Sequence, residues 1–263
     1  ILCLLNGVLG GIRRKGGRAL VAAEGVPLAL VLGGLRLRGD GEGLVADRAE
    51  GLLTRLGLVV ERLDGAVRGV REGLHVGVRL GRRGLLHTDG PMRPFQERYA
   101  RPTEELSGWS VAEPGRYDLA DVVRNVRPTI LIGTSAQPGS FTEEIVRDMA
   151  AGCTRPIILP LSNPTTKAEA VPADLLAWTN GQALIATGSP FGPVEHGGTS
   201  YHIAQANNAL VFPGIGLGVV ASHATRVSDT MIAAASHAVA EMTSAKRRGA
   251  PILPSMRQLR AVS

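Results

Sequence analysis

The chain has 263 residues, 44% of them hydrophobic, which is enough for one large or two small domains with a packed core. Its two cysteines share no motif spacing, so a disulfide-rich scaffold is excluded, and we expect neither a signal peptide nor a membrane helix. The net charge of +6 arises within residues 1–101, but the first 94 residues hold no aromatic side chain for base stacking, which disfavours a nucleic-acid partner.

Residues 1–82 differ in composition from the rest of the chain. Gly, Leu, Arg, Val and Ala dominate them, and LDGAVRGVREGLHVGVRLGRRG follows neither the helical nor the strand period. We expect weak, irregular structure here. One hypothesis is a GC-rich gene translated in a wrong frame, which a comparison of the three reading frames of the DNA would test.

From about Gly84 onward, strand and helix patterns alternate. Short β-branched runs between Pro and Gly predict strands, whereas apolar residues at three–four spacing predict helices. In chain order, we predict a helix in YDLADVVRNV, a strand in RPTILIG, a helix in SFTEEIVRDMAAG, a strand in RPIILPLS, a helix in VPADLLAWT, a strand in QALIATGS and a helix in SDTMIAAASHAVAEMTSA.

Capping residues support three of these helices. Asp118 is the predicted N-cap of the first, and Pro172 lies in the first turn of the third. Ser140 and Glu143 have the spacing of a capping box for the second helix, and Gly152 occupies its predicted C-terminal position.

The alternation predicts an α/β fold, a doubly wound parallel sheet of the Rossmann-like type with an irregular or poorly packed N-terminal third. We divide the chain into residues 1–82, the disturbed front of a cofactor domain, and residues 83–263, its conventional part. Ligands of such sheets bind beyond the carboxyl ends of the strands, so the loops at those ends are the candidates for a binding site.

Four loops at these strand ends are rich in Gly, Pro and small polar residues. They are GTSAQPG (133–139), SNPTT (162–166), GSPFGPV (188–194) and the segment that contains NNALVFPG. The composition of any single loop is typical of an ordinary turn. Their recurrence at one end of successive strands favours a binding edge.

Three motifs in this order and spacing, LSNPT, ATGSPF and NNALVFPGIGLG, resemble the cofactor-binding domain of malic enzymes over about residues 84–263. The resemblance implies oxidative decarboxylation of malate to pyruvate and CO2, with NAD or NADP as hydride acceptor. It also implies a Mg or Mn ion and a homo-oligomer, whereas the cytoplasmic location that we expect follows from the two unpatterned cysteines, which best fit a reducing compartment.

The resemblance also implies roles for individual residues. The side-chain amides of Asn163, Asn207 and Asn208 would bind malate and the nicotinamide half of the cofactor, since an amide offers both a donor and an acceptor. The alternative for the Asn pair is capping of the following helix. Thr134 and Ser135 would approach the cofactor ribose. The glycines of GIGLG would open a packing helix rather than bind phosphate.

The phosphate-binding loop of such domains, G-x-G-x-x-G, has one weak candidate here. The resemblance places it near residue 40, where LALVLGGLRLRGDGEGLVAD offers Gly39, Gly41 and Gly43. A leucine stands in place of the third motif glycine, and two acidic residues between these glycines would repel a pyrophosphate. A solvated turn is the alternative.

The choice between NAD and NADP depends on the position just before GLL. The family carries an acidic residue there for the ribose hydroxyls, whereas this chain has Gly81 followed by Arg82 and Arg83. These arginines could accept a 2′-phosphate, or could belong to the disturbed front. We favour NAD.

The malate-binding domain of the family, with its catalytic lysine, tyrosine and metal ligands, has no counterpart in this sequence. We therefore predict an incomplete chain that does not turn over malate alone. The alternatives are a residual nucleotide-binding module without catalysis, and a basic nucleic-acid-binding protein whose affinity would fall steeply with salt.

Overall fold

The computed structural model describes residues 19–23, 78–81, 83–243 and 247–262. The chain divides into one compact unit made of Ile1–Gly25 and His75–Ser263 and a second made of Val26–Leu74. Every described residue belongs to the first unit. The predicted boundary after residue 82 stays a prediction, and most of the irregular front lies outside the described residues.

A seven-stranded sheet forms the centre of the first unit. Its strands are β1 (Ala19–Ala23), β2 (Val78–Gly81), β3 (Gly84–Leu85), β4 (Ile130–Thr134), β5 (Ile157–Pro160), β6 (Leu184–Thr187) and β9 (Ala204–Gln205), and β7 (Val194–His196) and β8 (Thr199–Tyr201) form a separate antiparallel hairpin. The order across the sheet is β3-β2-β1-β4-β5-β6-β9. All neighbours pair in parallel except β2 and β3.

Six α-helices accompany the sheet in the described part of the chain. They are α1 (Leu119–Val126), α2 (Glu143–Gly152), α3 (Pro172–Trp178), α4 (Phe212–Ser222), α5 (Asp229–Glu241) and α6 (Leu259–Val262). All three strands and all four helices predicted after Gly84 are confirmed. None of these helices combines the length and the apolar character that a membrane span requires.

Apolar side chains from the central strands pack on both faces of the sheet. Since neighbouring residues of a strand point to opposite faces, Leu131 of β4 joins one core cluster, and Ile130 and Ile132 join another. The first cluster includes buried residues of α1, α2 and α3, namely Val122, Val146 and Leu175. The second includes Val239 of α5. Helices therefore cover both faces, which confirms the doubly wound architecture.

The helix caps confirm one prediction and correct another. Asp118 caps α1, because its side chain accepts a hydrogen bond from the Asp121 N–H. The predicted capping box of Ser140 and Glu143 is wrong. Thr142 directly precedes α2 and accepts from the Ile145 N–H, while Gly152 is the last helical residue rather than the one beyond it.

Ser140 lies two residues before that cap and has a different environment. Its N–H donates to the Gln137 carbonyl in a turn. Its hydroxyl is buried and has no hydrogen-bond partner among the described residues. The serine therefore belongs to the loop after β4 and not to the helix.

Helix α4 contains the GIGLG segment, but none of its residues is buried. Phe212 and Leu217 are each 60% exposed and Val220 is 71% exposed. Within the described part of the chain, no element covers these side chains. Ile215 of the same helix is half-buried and packs against the second core cluster, so the helix packs as expected on one side and leaves these three side chains exposed on the other.

Candidate functional site

The four predicted loops leave one edge of the sheet, because they follow the carboxyl ends of neighbouring parallel strands. Backbone hydrogen bonds continue the pairing just beyond the regular strands. These bonds run from Leu161 N–H to Gly133 O (2.9 Å), from Gly188 N–H to Pro160 O (3.2 Å) and from Ala206 N–H to Thr187 O (2.8 Å). The loops are therefore held side by side at the end of the sheet where these parallel strands have their carboxyl termini. We call this end of the sheet the carboxyl edge, and the opposite end the amino edge.

Glu169 connects the first two loops from within the protein. It has 0% exposure, although it is an acidic residue. One carboxylate oxygen accepts from the Ser135 N–H (2.7 Å) and hydroxyl (2.9 Å), and also from the Ser162 hydroxyl. The Ser162 N–H donates to the other oxygen at 3.4 Å. Three donors thus converge on one oxygen and one reaches the other, so both oxygens of the buried carboxylate are engaged.

The two serines extend this network into the backbone of the loop after β4. Ser162 Oγ accepts from the Ala136 N–H (2.9 Å), and Ser135 Oγ accepts from the Gln137 N–H (3.2 Å). The hydroxyl and N–H of Ser135 are thus both engaged within the protein. The loop that is predicted to approach a ribose has a conformation set by a buried acid.

Asn163 links the second loop to the third. Its side chain is exposed, and its amide oxygen accepts from the Ser189 hydroxyl. Gln205 Nε2 then donates to the Gly188 carbonyl (3.2 Å), which ties the third loop to β9. The amide nitrogen of Asn163 keeps its donors available, because the contacts of the described residues engage only the oxygen.

Two glycines allow the close approach of these loops. A Cβ atom on Gly188 would lie 2.0 Å from the Leu161 carbonyl oxygen. One on Gly133 would lie 2.6 Å from Cδ of Glu169. Any side chain at either position would push the loops apart.

The structure separates the roles of the Asn pair that follows β9. Asn207 Oδ1 accepts from the Ala209 N–H at 2.9 Å, so Asn207 caps the 3-10 turn Asn208–Leu210. The side chain of Asn208 is half-buried and makes no hydrogen bond to any described residue. The capping alternative thus applies to Asn207, and Asn208 keeps a free amide.

Some of the remaining predicted site residues lie within the described part of the chain, and others lie outside it. Thr134 is the last residue of β4, and within the described residues its hydroxyl has no hydrogen-bond partner. Arg83 is exposed just beyond the end of β2. Gly39, Gly41 and Gly43, together with Arg82, lie outside the described residues.

No metal site can be built from the described residues. Among them, no group of three His, Cys, Asp or Glu side chains is placed to hold a metal ion. The Mg or Mn ion implied by the resemblance therefore has no ligand set in this part of the chain.

Sequence reasoning missed Glu169, Ser162 and Ser189, which fix the shape of the carboxyl edge. The available signal was weak: a single acid between two alanines in KAEAVP, two residues after a lysine and shortly before α3. Burial of that acid depends on the fold around it, which local patterns do not report.

Two comparisons of the sequence with known proteins agree on one relationship. The family model for the malic enzyme NAD-binding domain matches residues 78–263. The NAD-dependent malic enzyme of Sodalis glossinidius is 54% identical over 170 residues, which are 64% of this chain and 30% of that protein. NAD-dependent malic enzyme 3 of Bacillus subtilis is 51% identical over 186 residues, which are 70% of this chain and 33% of that protein.

A solved structure supports the fold. The crystal structure of the malic enzyme from Pyrococcus horikoshii superposes with a TM-score of 0.56 at 20% identity, covering 99% of this chain and 51% of that one. At this identity the likeness concerns the fold alone. The chain spans about a third of the length of the curated relatives it matches.

Proposed function

Since this chain belongs to the malic enzyme family through its NAD-binding domain, we propose that it is the cofactor-binding part of an NAD-dependent malic enzyme. The overall reaction would be oxidation and decarboxylation of malate to pyruvate and CO2. The observation that carries the proposal is the carboxyl edge, where four adjacent loops present small polar groups and two asparagine amides.

Bound NAD would supply the hydride acceptor for the malate hydroxyl carbon. The described residues would bind the cofactor and the substrate and orient them relative to each other. Asn208 has a half-buried amide without a partner among the described residues, which fits a polar ligand such as a carboxylate or carboxamide. Asn163 offers amide donors from an oxygen-anchored side chain, so its orientation is fixed before a ligand arrives.

Thr134 and Ser135 would contribute mainly the shape of the loop beneath the ribose. Both donors of Ser135 are used by Glu169, so its role is to hold the backbone in place. Such preorganisation lowers the conformational cost of binding. Phosphate binding by Gly39, Gly41 and Gly43 stays a prediction.

NAD rather than NADP is the proposed cofactor. The relatives named above are NAD-dependent. Calorimetric titration of the chain with each dinucleotide would test this choice. Tighter binding of NADP would contradict it.

The Asn pair provides a sharp test of the site. Asn208→Ala should weaken NAD binding about tenfold, the effect expected for loss of one ligand hydrogen bond, and should leave stability unchanged. Asn207→Ala removes a cap and should lower the free energy of unfolding by about 1 kcal/mol. Calorimetry and urea denaturation measure the two effects. Absence of NAD binding to the unmodified chain, or equal affinity after Asn208→Ala, would overturn the proposal.

We further propose that this chain alone does not turn over malate, since the resemblance assigns the catalytic lysine, tyrosine and metal ligands to a domain without a counterpart in the sequence. Incubation with malate, Mn and NAD should therefore give no turnover. A rate of about 1–1000 per second would contradict this proposal. Homo-oligomer formation stays a prediction from the resemblance, and a cytoplasmic location stays a prediction from the cysteine content.

A further inference from the structure

A cavity of about 240 Å³ opens at the edge of the sheet opposite to the carboxyl edge. Arg155, just before β5, and Gln182, just before β6, line it, so it lies at the amino ends of these strands. No part of the proposed cofactor site contributes to its lining. The cavity is therefore a separate feature of the molecule.

The lining of this cavity is strongly basic. It includes Arg155, Arg247, Arg248 and His202, and no Asp or Glu is found among its described lining residues. The guanidinium groups of Arg247 and Arg248 create a positive potential at this small hollow, because the described lining itself holds no carboxylate. Such an arrangement favours an anionic occupant.

Neutral acceptors hold Arg248 in place. Its Nε donates to the Tyr201 hydroxyl oxygen (2.6 Å), and its Nη2 donates to the Asn180 carbonyl (2.9 Å). The Tyr201 hydroxyl is itself oriented, since it donates to the Gly181 carbonyl at 3.1 Å. These bonds fix the guanidinium without cancelling its charge, so Arg248 is preorganised for a negatively charged partner.

Arg247 supplies a second available cation. It is exposed, and within the described residues its guanidinium group forms no hydrogen bond or ion pair. It also borders a neighbouring cavity of about 500 Å³, which Met242, Pro251 and Leu253 line. A change at Arg247 should therefore alter binding without disturbing the fold.

We propose that the cavity binds a small oxyanion with at least two negative charges, of the phosphate or carboxylate class. Guanidinium groups bind both kinds of oxyanion through paired N–H···O bonds. A volume of about 240 Å³ suits such an ion but is below the range of sites for larger ligands. The site is independent of the proposed cofactor function.

The test uses the 263-residue chain and two probes, inorganic pyrophosphate and succinate, in calorimetric titrations at low salt, with and without saturating NAD. At least one probe should bind saturably with one site per chain, and NAD should not compete. Stronger binding of pyrophosphate would assign the phosphate class, and stronger binding of succinate would assign the carboxylate class.

Arg247→Gln should weaken binding about tenfold, the effect of losing one charge-assisted contact. Arg226→Gln is the matched control, because it removes the same charge from an exposed position outside the cavity lining. The control should change affinity less than about twofold. Circular dichroism would verify that both variants fold. The proposal is overturned by absence of saturable binding, by competition with NAD, or by equal weakening in the two variants.

Discussion

The two edges of the central sheet use polar groups in opposite ways. At the carboxyl edge, a buried acid satisfies the donors of two serines, and the loops are bonded to one another. At the amino edge, arginines line a cavity, and Arg248 donates hydrogen bonds to the neutral Tyr201 hydroxyl and Asn180 carbonyl. The first edge is built by internal bonds, and the second keeps positive charge available.

The polar groups of the carboxyl edge thus stabilise the fold, whereas the arginines of the amino edge are available to bind a ligand. Because the loops of the carboxyl edge depend on the buried bonds of Glu169, changes to that network should lower stability as well as binding. Changes to the exposed arginine of the amino edge should affect anion binding alone. Substitutions at both edges therefore test the contrast directly.

The largest effect is expected for Glu169→Gln. The amide keeps the shape of the side chain but turns one acceptor oxygen into a donor that faces serine donors, which should cost about 3 kcal/mol of unfolding free energy. Urea denaturation measures the loss. Glu195→Gln, at an exposed position of β7, is the control and should stay within about 0.5 kcal/mol of the unmodified chain. Similar values for both would contradict the structural role of Glu169.

Gly188→Ala should have the next largest effect, about 2 kcal/mol, because the new Cβ would clash with the Leu161 carbonyl oxygen. Gly192→Ala in the same loop is matched to it, since a Cβ there would meet no atom within 4 Å. The difference between their urea midpoints reports the close contact alone. If both alanines are tolerated, the loops are not packed as described.

A smaller effect should distinguish the two candidate caps of α2. Thr142→Ala should cost about 1 kcal/mol, because the Ile145 N–H loses its acceptor. Ser140→Ala removes a buried hydroxyl that lacks a partner among the described residues, so stability should be equal or slightly higher. Thermal unfolding followed by circular dichroism would rank the variants, and the reverse order would restore the capping box predicted from the sequence.

The smallest effect on stability is expected at the amino edge. Arg247→Gln should change the unfolding free energy by less than about 0.5 kcal/mol, as is usual for exposed residues. Urea denaturation in the absence of phosphate would provide the value. A loss as large as that of Glu169→Gln would erase the contrast between the two edges.

Local sequence patterns predicted much of the fold after Gly84. Strand β4 and helix α1 were evident because Pro and Gly bound short β-branched runs and because Asp118 caps a periodic segment. Strand β1 was not predicted, since its ALVAA sequence lies in a Gly-rich region without clear periodicity. Its assignment requires the parallel pairing with β2 and β4, which is a tertiary relationship.

The site was predicted less completely than the fold. The motifs indicated which loops matter, but they could not show which Asn of the pair acts as a cap, because both have the same chemistry. Glu169 was missed because an acidic residue in a loop is usually exposed. Only the surrounding serine donors explain its burial.

The uncovered side chains of α4 have a practical consequence for work in solution. Phe212, Leu217 and Val220 expose apolar surface to water, and such surfaces bind fluorescent hydrophobic dyes. In dye-based melting curves, the folded chain would already give high dye fluorescence. The increase in fluorescence on unfolding would therefore be too small to report the full transition. The chain would also tend to aggregate at high concentration. Dilute samples and label-free optical methods are therefore best suited to measure its stability.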